Sequence, residues 1–286
     1  SMPYRLVHML LASGLTVAFL TAGLSALRLL IGDRSDSPRL TLKVAVYLAA
    51  ALIPLQILAG DLHGLNTLEH QPQNVAAMEG NWQTRSYAPL LLFALPDDAE
   101  RKNHFEIGIP SGASLILKHR ADGVVPGLDD FVSAEGTPLH PPVAAVFWSF
   151  RVMVGVGLAM LAVAWLASWK LRSLGSDRIP RWLLRVLVAM TFSGWIATLA
   201  GWYTTEIGRQ PWLVQGVLKT AEALGPVPAG MVMSTLIVYL AISAALTAAY
   251  IAVLSHLARK AAQGTSQPAT AVPGRGGAGA GLAALG

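Results

Sequence analysis

From residue 6 to residue 27 the chain carries no charged side chain. A helix of that length, at about 1.5 Å per residue, covers the roughly 30 Å of hydrocarbon in a bilayer. Four further apolar runs follow: 44–60, which contains Pro54; 143–169, interrupted only by Arg151; 182–203, with Arg185 near its start; and 227–257. Hydrophobic residues make up 53% of the chain and charged residues 13%, with mean hydropathy +0.51; a soluble domain carries about 25% charged residues. The expectation is an all-α integral membrane protein of about five transmembrane helices. Trp148, Trp169, Trp182, Trp202 and Tyr203 fall near span ends, as interfacial aromatic residues do. The first run is too long for a secretory leader and no cleavage site follows it.

Charge orients the spans. Arg28, Arg34, Arg39 and Lys43 bracket the first connection, Lys170, Arg172, Arg178, Arg181 and Arg185 bracket the third, and Arg259 and Lys260 follow the last span. The positive-inside rule makes these cytoplasmic. The connection between residues 60 and 141 holds 11 of the 16 acidic residues against five Lys/Arg, so it reads as external. The organisation expected is two transmembrane helices in 1–60, an external loop in 61–141, three transmembrane helices in 142–261, and a Gly/Ala/Pro-rich disordered tail in 262–286. Residue 1 is then outside and the C-terminus inside. The pI near 9.7 raises nucleic acid as a partner, but the basic residues flank apolar spans, and membrane lipid is the better reading. No cysteine is present. That excludes disulfides, Fe–S clusters and thiolate ligands, and leaves His, Met and carboxylates for any metal.

The loop is too long to be structureless. Residues 60–72 are polar and read as turn-rich; 75–82 read as a short helix carrying Glu79; and 105–109 with 114–118 read as two strands about Pro110-Ser111-Gly112-Ala113. Glu79 is placed to act as a base that takes protons from a substrate. Asp61, at the expected span–loop junction, can position that substrate. Each could equally be a solvated loop carboxylate. His63 and His70 suggest loop structure rather than metal ligation, since no further ligand stands at suitable spacing.

Within the spans, His8 and Met153 are the candidate ligands. Counted at about 1.5 Å per residue, His8 lies about 30 Å above Arg28 and Met153 about 24 Å above Trp169, so both fall in the outer half of the membrane. A His/Met pair gives a six-coordinate, low-spin haem suited to electron transfer. The plainer readings are a helix-end histidine bonded to a carbonyl and a methionine filling core space. Arg151 inside a span needs an anion, for which a haem propionate would serve, unless it snorkels to the interface.

The residues Gly208-Arg209-Gln210-Pro211-Trp212, just beyond the fourth span and after Glu206, resemble a sequence signature of cytochrome bd-type quinol oxidases, subunit I. Ser1-Met2-Pro3-Tyr4-Arg5-Leu6-Val7-His8-Met9 resembles the start of that family's fifth span, whose histidine ligates a low-spin b haem. Phe147-Trp148-Ser149-Phe150-Arg151-Val152-Met153 resembles the segment that gives its second ligand. Gly201-Trp202-Tyr203-Thr204-Thr205-Glu206 resembles the stretch whose glutamate ligates a high-spin haem, with Trp202 and Arg209 beside it. The run from Gly60 to Pro72 is similar to the cyanide-insensitive branch, and Val75-Ala76-Ala77-Met78-Glu79 matches its quinol-loop glutamate.

The resemblance implies metal ligands His8, Met153 and Glu206, cofactor contacts from Arg151, Trp202 and Arg209, and quinol oxidation by Glu79 and Asp61 in the external loop. It also implies a low-spin haem b, a high-spin haem b or haem d, quinol as substrate, and a bacterial inner-membrane location. Electrons would pass on for reduction of oxygen to water. Two departures stand out. Asn74 occupies the place of a lysine implicated at the quinol site. The family's first four spans have no counterpart here, so the chain resembles the C-terminal part of subunit I. Those N-terminal spans and subunit II become expected partners, without which the chain would not reduce oxygen. Two other classes remain open. One is a membrane transporter using Arg151, Glu206 and Arg209, though no inverted repeat is present. The other is a haem-free structural fragment of a membrane complex.

Overall fold

The computed structural model describes residues 2–174, 179–223 and 225–264. It divides into two compact units, residues 1–223 and 224–286. In the first unit, α1 (Met2–Leu30) and α2 (Asp36–His70) form an antiparallel pair, followed by the short α3 (Pro72–Glu79). A hairpin of β1 (Leu90–Asp97) and β2 (Lys102–Ile109) precedes α4 (Gly112–Lys118) and the long α5 (Val143–Leu174). Next come α6 (Arg181–Ala189), α7 (Ser193–Gly208) and a small hairpin, β3 (Trp212–Val214) with β4 (Leu218–Lys219). The second unit contains α8 (Ala229–Gly264). Among the described residues, five segments are long and apolar enough to cross a membrane: Met2–Leu30, Asp36–His70, Val143–Ser173, Arg181–Gly208 and Ala229–Val253. The expected tail falls mostly on residues 265–286, outside the described residues.

The first unit is built on seven-residue stripes. Leu15 and Ala22 of α1, Leu42 and Ala49 of α2, and Met160 and Ala167 of α5 are all buried. Seven residues are two helical turns, about 10.5 Å, with a drift of only about 20°. Each stripe therefore stays on one face, and the faces meet in two stacked apolar layers. One joins α1, α2, α5 and α6 through Ala26, Val46, Leu171 and Leu183; the next joins α1, α2 and α5 through Phe19, Ile53 and Met160. These layers lie toward the end bearing Arg28, Lys43, Arg172 and Arg181, here called the basic end. The other end carries residues 71–142 and is called the loop end.

Small residues let these helices close. The fourth span is one element in the sequence but two helices here, broken at Met190–Phe192. The Thr191 and Ser193 hydroxyls donate to the carbonyls of Val188 and Met190 at 2.5 and 2.7 Å, a local competition that bends helices. At the break α1 comes close: a Cβ on Gly194 would lie 2.6 Å from Thr16 Cα, and Gly23 faces Thr191. Such small-residue contacts are the usual basis of helix association in lipid.

Three local expectations are corrected. Residues 61–70 are not a turn-rich loop but the last three turns of α2, which spans 35 residues despite Pro54. At about 1.5 Å per residue that is over 50 Å, so the helix outruns the hydrocarbon and its polar end needs no turn. Boundaries at 60/61 thus fall inside a helix. The short helix is Pro72–Glu79 rather than 75–82, begun by proline at its first turn and ended by Gly80 in the left-handed conformation, whose N–H caps Ala76 and Ala77. Finally, 105–109 does belong to a strand, but its partner is Leu90–Asp97, while 114–118 is helical.

Candidate functional site

Continued toward the loop end, the apolar stripes turn polar. Seven residues before Leu15 stands His8; seven before Met160 stands Met153; seven and fourteen after Ala49 stand Gln56 and His63. Being in register with buried residues, all of them face the bundle interior, with His8, Gln56 and Met153 about one stripe step, roughly 10.5 Å, beyond the last apolar layer and His63 a step farther. His8 and Met153 therefore share a depth.

The His8 ring rests on α2. Gln56 Nε2 lies 3.3 Å from Nδ1 and 3.2 Å from Nε2, the His63 ring centroid is 5.7 Å away, and a Cβ on Gly60 would sit 3.2 Å from Cε1. Gln56, Gly60 and His63 went unnoticed as a group in the sequence, because residues 61–70 read as loop. Taken as one helix, their i, i+4, i+7 spacing places them together. Met153 lies against α7, where a Cβ on Gly201 would meet its sulfur at 2.7 Å. On α7 a glycine recurs every seventh residue. Gly194 admits Thr16 of α1, Gly201 admits Met153 of α5, and Gly208 admits the buried Asn74 side chain of α3. That heptad of glycines was the available signal for Gly201.

The arrangement fits a haem between His8 and Met153. An imidazole and a thioether face one interior at one depth, and Gly201 is a cradle that any side chain would fill. Arg5 Nε and Gln56 Oε1 are buried with no hydrogen-bond partner in the described residues. Buried polar atoms rarely stay unpaired, and these suit a group that brings its own polar substituents.

Arg151, two residues from Met153, is the hub of the loop end. Its Nε donates to Leu91 O at 3.0 Å and its Nη2 to the same oxygen at 2.6 Å; Nη1 donates to Met78 O; Nη2 also lies 3.4 Å from Glu79 Oε2. The guanidinium stacks 3.9 Å from the Phe147 ring centroid. The β1–β2 register is irregular between Leu91 and Phe93, where this carbonyl accepts the arginine. Arg151 was expected to need an anion, and within the chain Glu79 supplies one. Both side chains are nearly out of water, at 11% and 7% exposure. Burial pushes the Glu79 carboxyl above its usual range, and the neighbouring guanidinium opposes that shift.

The helix carrying Glu79 is held on all sides. Ala76 and Ala77 join Trp82, Leu128, Val143 and Val146 in an apolar cluster. Gln73 donates to Gln215 Oε1 at 2.8 Å, tying α3 to the small hairpin. Trp82 Nε1 donates to Asn103 Oδ1 at 2.9 Å, and Asn103 Nδ2 to Gly80 O at 2.9 Å. Asn74 is buried, and its Oδ1 has no partner among the described residues. Glu79 is therefore no solvated loop acid. Asp61 is different. It is exposed on α2, away from any span–loop junction, and makes no hydrogen bond or ion pair among the described residues; the structure does not bring it to Glu79.

Glu206 forms a second, separate group on α7. Its Oε1 is 3.2 Å from Arg209 Nη2, so this arginine too pairs with a carboxylate of its own chain. Trp202, one turn earlier, lies tilted against Tyr203 with ring centroids 5.4 Å apart and is half-exposed, as is Glu206. The turn that follows is fixed by Thr220, whose Oγ1 donates to Gln210 Oε1 at 2.8 Å and whose N–H donates to Pro211 O at 2.9 Å.

Over residues 1–262 the sequence matches the family described as cytochrome bd terminal oxidase subunit I. It is 32% identical over 240 residues to the cytochrome bd ubiquinol oxidase subunit 1 of Bacillus subtilis, covering 81% of this chain and 51% of that protein. It is 28% identical over 297 residues to the cytochrome bd-II ubiquinol oxidase subunit 1 of Escherichia coli, covering 82% and 57%. The fold matches the bd oxidase of Geobacillus thermodenitrificans with a TM-score of 0.79 and 30% identity, over 91% of this chain and 58% of that one. The chain spans about half the length of the curated relatives it matches. With a family match running through all five spans, and the same fold in a solved bd oxidase, the chain belongs to the cytochrome bd terminal oxidase subunit I family.

Proposed function

We propose that this chain carries the quinol-oxidising loop and two haem positions of a bd-type terminal oxidase. The observation that carries the reading is the buried Glu79–Arg151 pair, which ties the loop helix to the residue two positions from Met153. Quinol is the substrate. When bound, a low-spin haem b held by His8 and Met153 supplies one-electron acceptance, and a high-spin haem b or haem d on Glu206 supplies an open position for oxygen.

The chain's own residues do the rest. Glu79 takes the proton of a quinol hydroxyl; burial makes it a stronger base than a solvated carboxylate, while Arg151 keeps it ionised enough to act. The cluster around Ala76, Trp82 and Val146 keeps water from that pair. Asp61 is left a lesser part, at the exposed flank of α2. Arg209 sets the orientation of the Glu206 carboxylate, and Trp202 covers its flank. The basic end is cytoplasmic and the loop end external, in a bacterial inner membrane, so that protons leave outward. The other spans of subunit I, together with subunit II, would cover the half-exposed Trp202 and Glu206.

Spectroscopy of the assembled oxidase tests this. Met153→Leu conserves volume and removes the sulfur, so the reduced-minus-oxidised spectrum should lose its low-spin bands while the protein stays assembled. Glu206→Ala should remove a high-spin haem and spare the low-spin one. Unchanged spectra in both variants would return the chain to a haem-free structural role.

A further inference from the structure

We propose that the groove between α2 and α5 at the basic end is a binding site for one anionic glycerophospholipid. The groove has a volume of about 630 Å³ and is lined by Lys43, Tyr47, Ala50 and Ala51 of α2 and by Ser168 and Arg172 of α5. It lies apart from His8, Met153, Glu79 and Glu206, at the opposite end of the bundle.

Its lining is ordered along the membrane normal as such a lipid is. On α2, Lys43, Tyr47 and Ala50 follow one another at i, i+4 and i+7, on one face. On the antiparallel α5, Arg172, Ser168 and Trp165 descend at the same spacing. A cation from each helix therefore stands at the rim, followed by two hydroxyl-bearing residues, Tyr47 and Ser168, and then by an apolar floor. Trp165 closes that floor, with Nε1 donating to Ala50 O at 3.2 Å.

Charge complementarity names the occupant. Among the described residues, no acidic side chain lines the groove. Neither Lys43 nor Arg172 has an ion pair or hydrogen bond among the described residues; Arg172 only stacks 5.9 Å from the Tyr47 ring centroid. Lys170, two residues before Arg172, is turned instead to the Trp169 ring at 4.6 Å. The Ser168 hydroxyl oxygen is buried and has no partner among the described residues. Two cations with no ion pair among the described residues, and a hydroxyl donor below them, match a phosphodiester and its ester oxygens, and basic clefts between spans recruit anionic headgroups in this way. A further apolar helix would instead leave both cations desolvated and unpaired. A zwitterionic lipid would bring its own cation against them.

The test uses the assembled oxidase in phosphatidylcholine vesicles doped with chain-brominated phosphatidylglycerol or chain-brominated phosphatidylcholine. Bromine quenches nearby indoles, and the difference between the wild type and Trp165→Phe isolates Trp165. Brominated phosphatidylglycerol should quench that component at about tenfold lower mole fraction than brominated phosphatidylcholine. The preference should vanish in Lys43→Gln/Arg172→Gln and persist in Lys43→Arg/Arg172→Lys, with haem spectra unchanged. Equal quenching by the two lipids overturns the proposal, as does a preference that survives the neutral double variant. Quenching by neither lipid would mean that protein fills the groove. Haem loss in both double variants would mean that the pair holds the bundle together. Each of these results also overturns it, and none bears on the haem assignments.

Discussion

The two ends of the bundle are built on the same four stripes and put to opposite uses. Toward the basic end the seven-residue positions hold Leu15, Ala49, Met160 and Gly194, and the helices meet over apolar atoms. One step toward the loop end the same positions hold His8, Gln56, Met153 and Gly201. There the contacts are an imidazole on a carboxamide, a sulfur on a glycine and an arginine on a glutamate. Close-packed apolar layers supply the rigidity that positions a site, and polar residues placed in the same register inherit that alignment. One end makes the fold, and the other uses the geometry the fold provides.

The sharpest way to break this contrast is at the buried ion pair. Glu79 must be ionised to accept a proton, and burial raises its carboxyl above the ordinary value of 4.5. Quinol turnover should therefore fall on acidification with a midpoint above that value, because protonation removes the base. Arg151→Gln removes the charge that opposes the shift, so the acid limb should move to higher pH. Glu79→Gln should abolish the limb and slow turnover by about 10²–10⁴. Steady-state rates between pH 4 and 9 in the assembled oxidase check both; an acid limb retained in Glu79→Gln would place the base elsewhere.

A pair of glycines sharpens the contrast further. A Cβ at Gly194 meets Thr16 Cα, which is backbone and cannot step aside. Gly194→Ala should cost about 1–3 kcal/mol, seen as a lowered midpoint of thermal unfolding in detergent. A Cβ at Gly201 meets only Met153 Sδ, the end of a flexible side chain. Gly201→Ala should leave that midpoint nearly unchanged and weaken the low-spin haem bands instead. Were the two outcomes exchanged, the division of the bundle into a structural and a functional end would not hold.

How far the sequence revealed this follows from the range of each interaction. The five spans were legible because hydropathy is local, and short motifs carried the family resemblance that singled out His8, Met153, Glu79 and Glu206 as expectations. The end of α2 was not legible. Asp61 to His70 is polar, and its helix is sustained by bonds within it, such as Thr67 Oγ1 to His63 O at 2.8 Å and His70 Nδ1 to Asn66 O at 2.9 Å. The partner of β2 was also missed, since strand pairing depends on a distant match between Leu90 and Ile109 rather than on the nearer turn at Pro110. The arginine was recognised as needing an anion, but Glu79 lies 72 residues away, and no local pattern joins them.

The smallest expected effect lies within the loop end itself. Ser149 Oγ and Thr204 Oγ1 are 2.9 Å apart and tie α5 to α7, one turn from Met153 and near Gly201. In lipid such a bond between spans is worth about 0.6 kcal/mol on average. Each hydroxyl also lies near a carbonyl of its own helix, Ser149 Oγ 3.1 Å from Val146 O and Thr204 Oγ1 2.9 Å from Ala200 O; with one proton each, one hydroxyl donates across the pair while the other donates to its own carbonyl. Removing one therefore strands no buried polar group. Ser149→Ala should lower the unfolding midpoint only slightly, with a loss under about 1 kcal/mol. Thr204→Val keeps the shape and removes the same bond, so it should match Ser149→Ala, and the double variant should add nothing to either. A double-mutant cycle on thermal midpoints reads this directly. Additive losses would mean that the two hydroxyls act through separate partners, leaving the helix contact at this level to the glycine and methionine beside them.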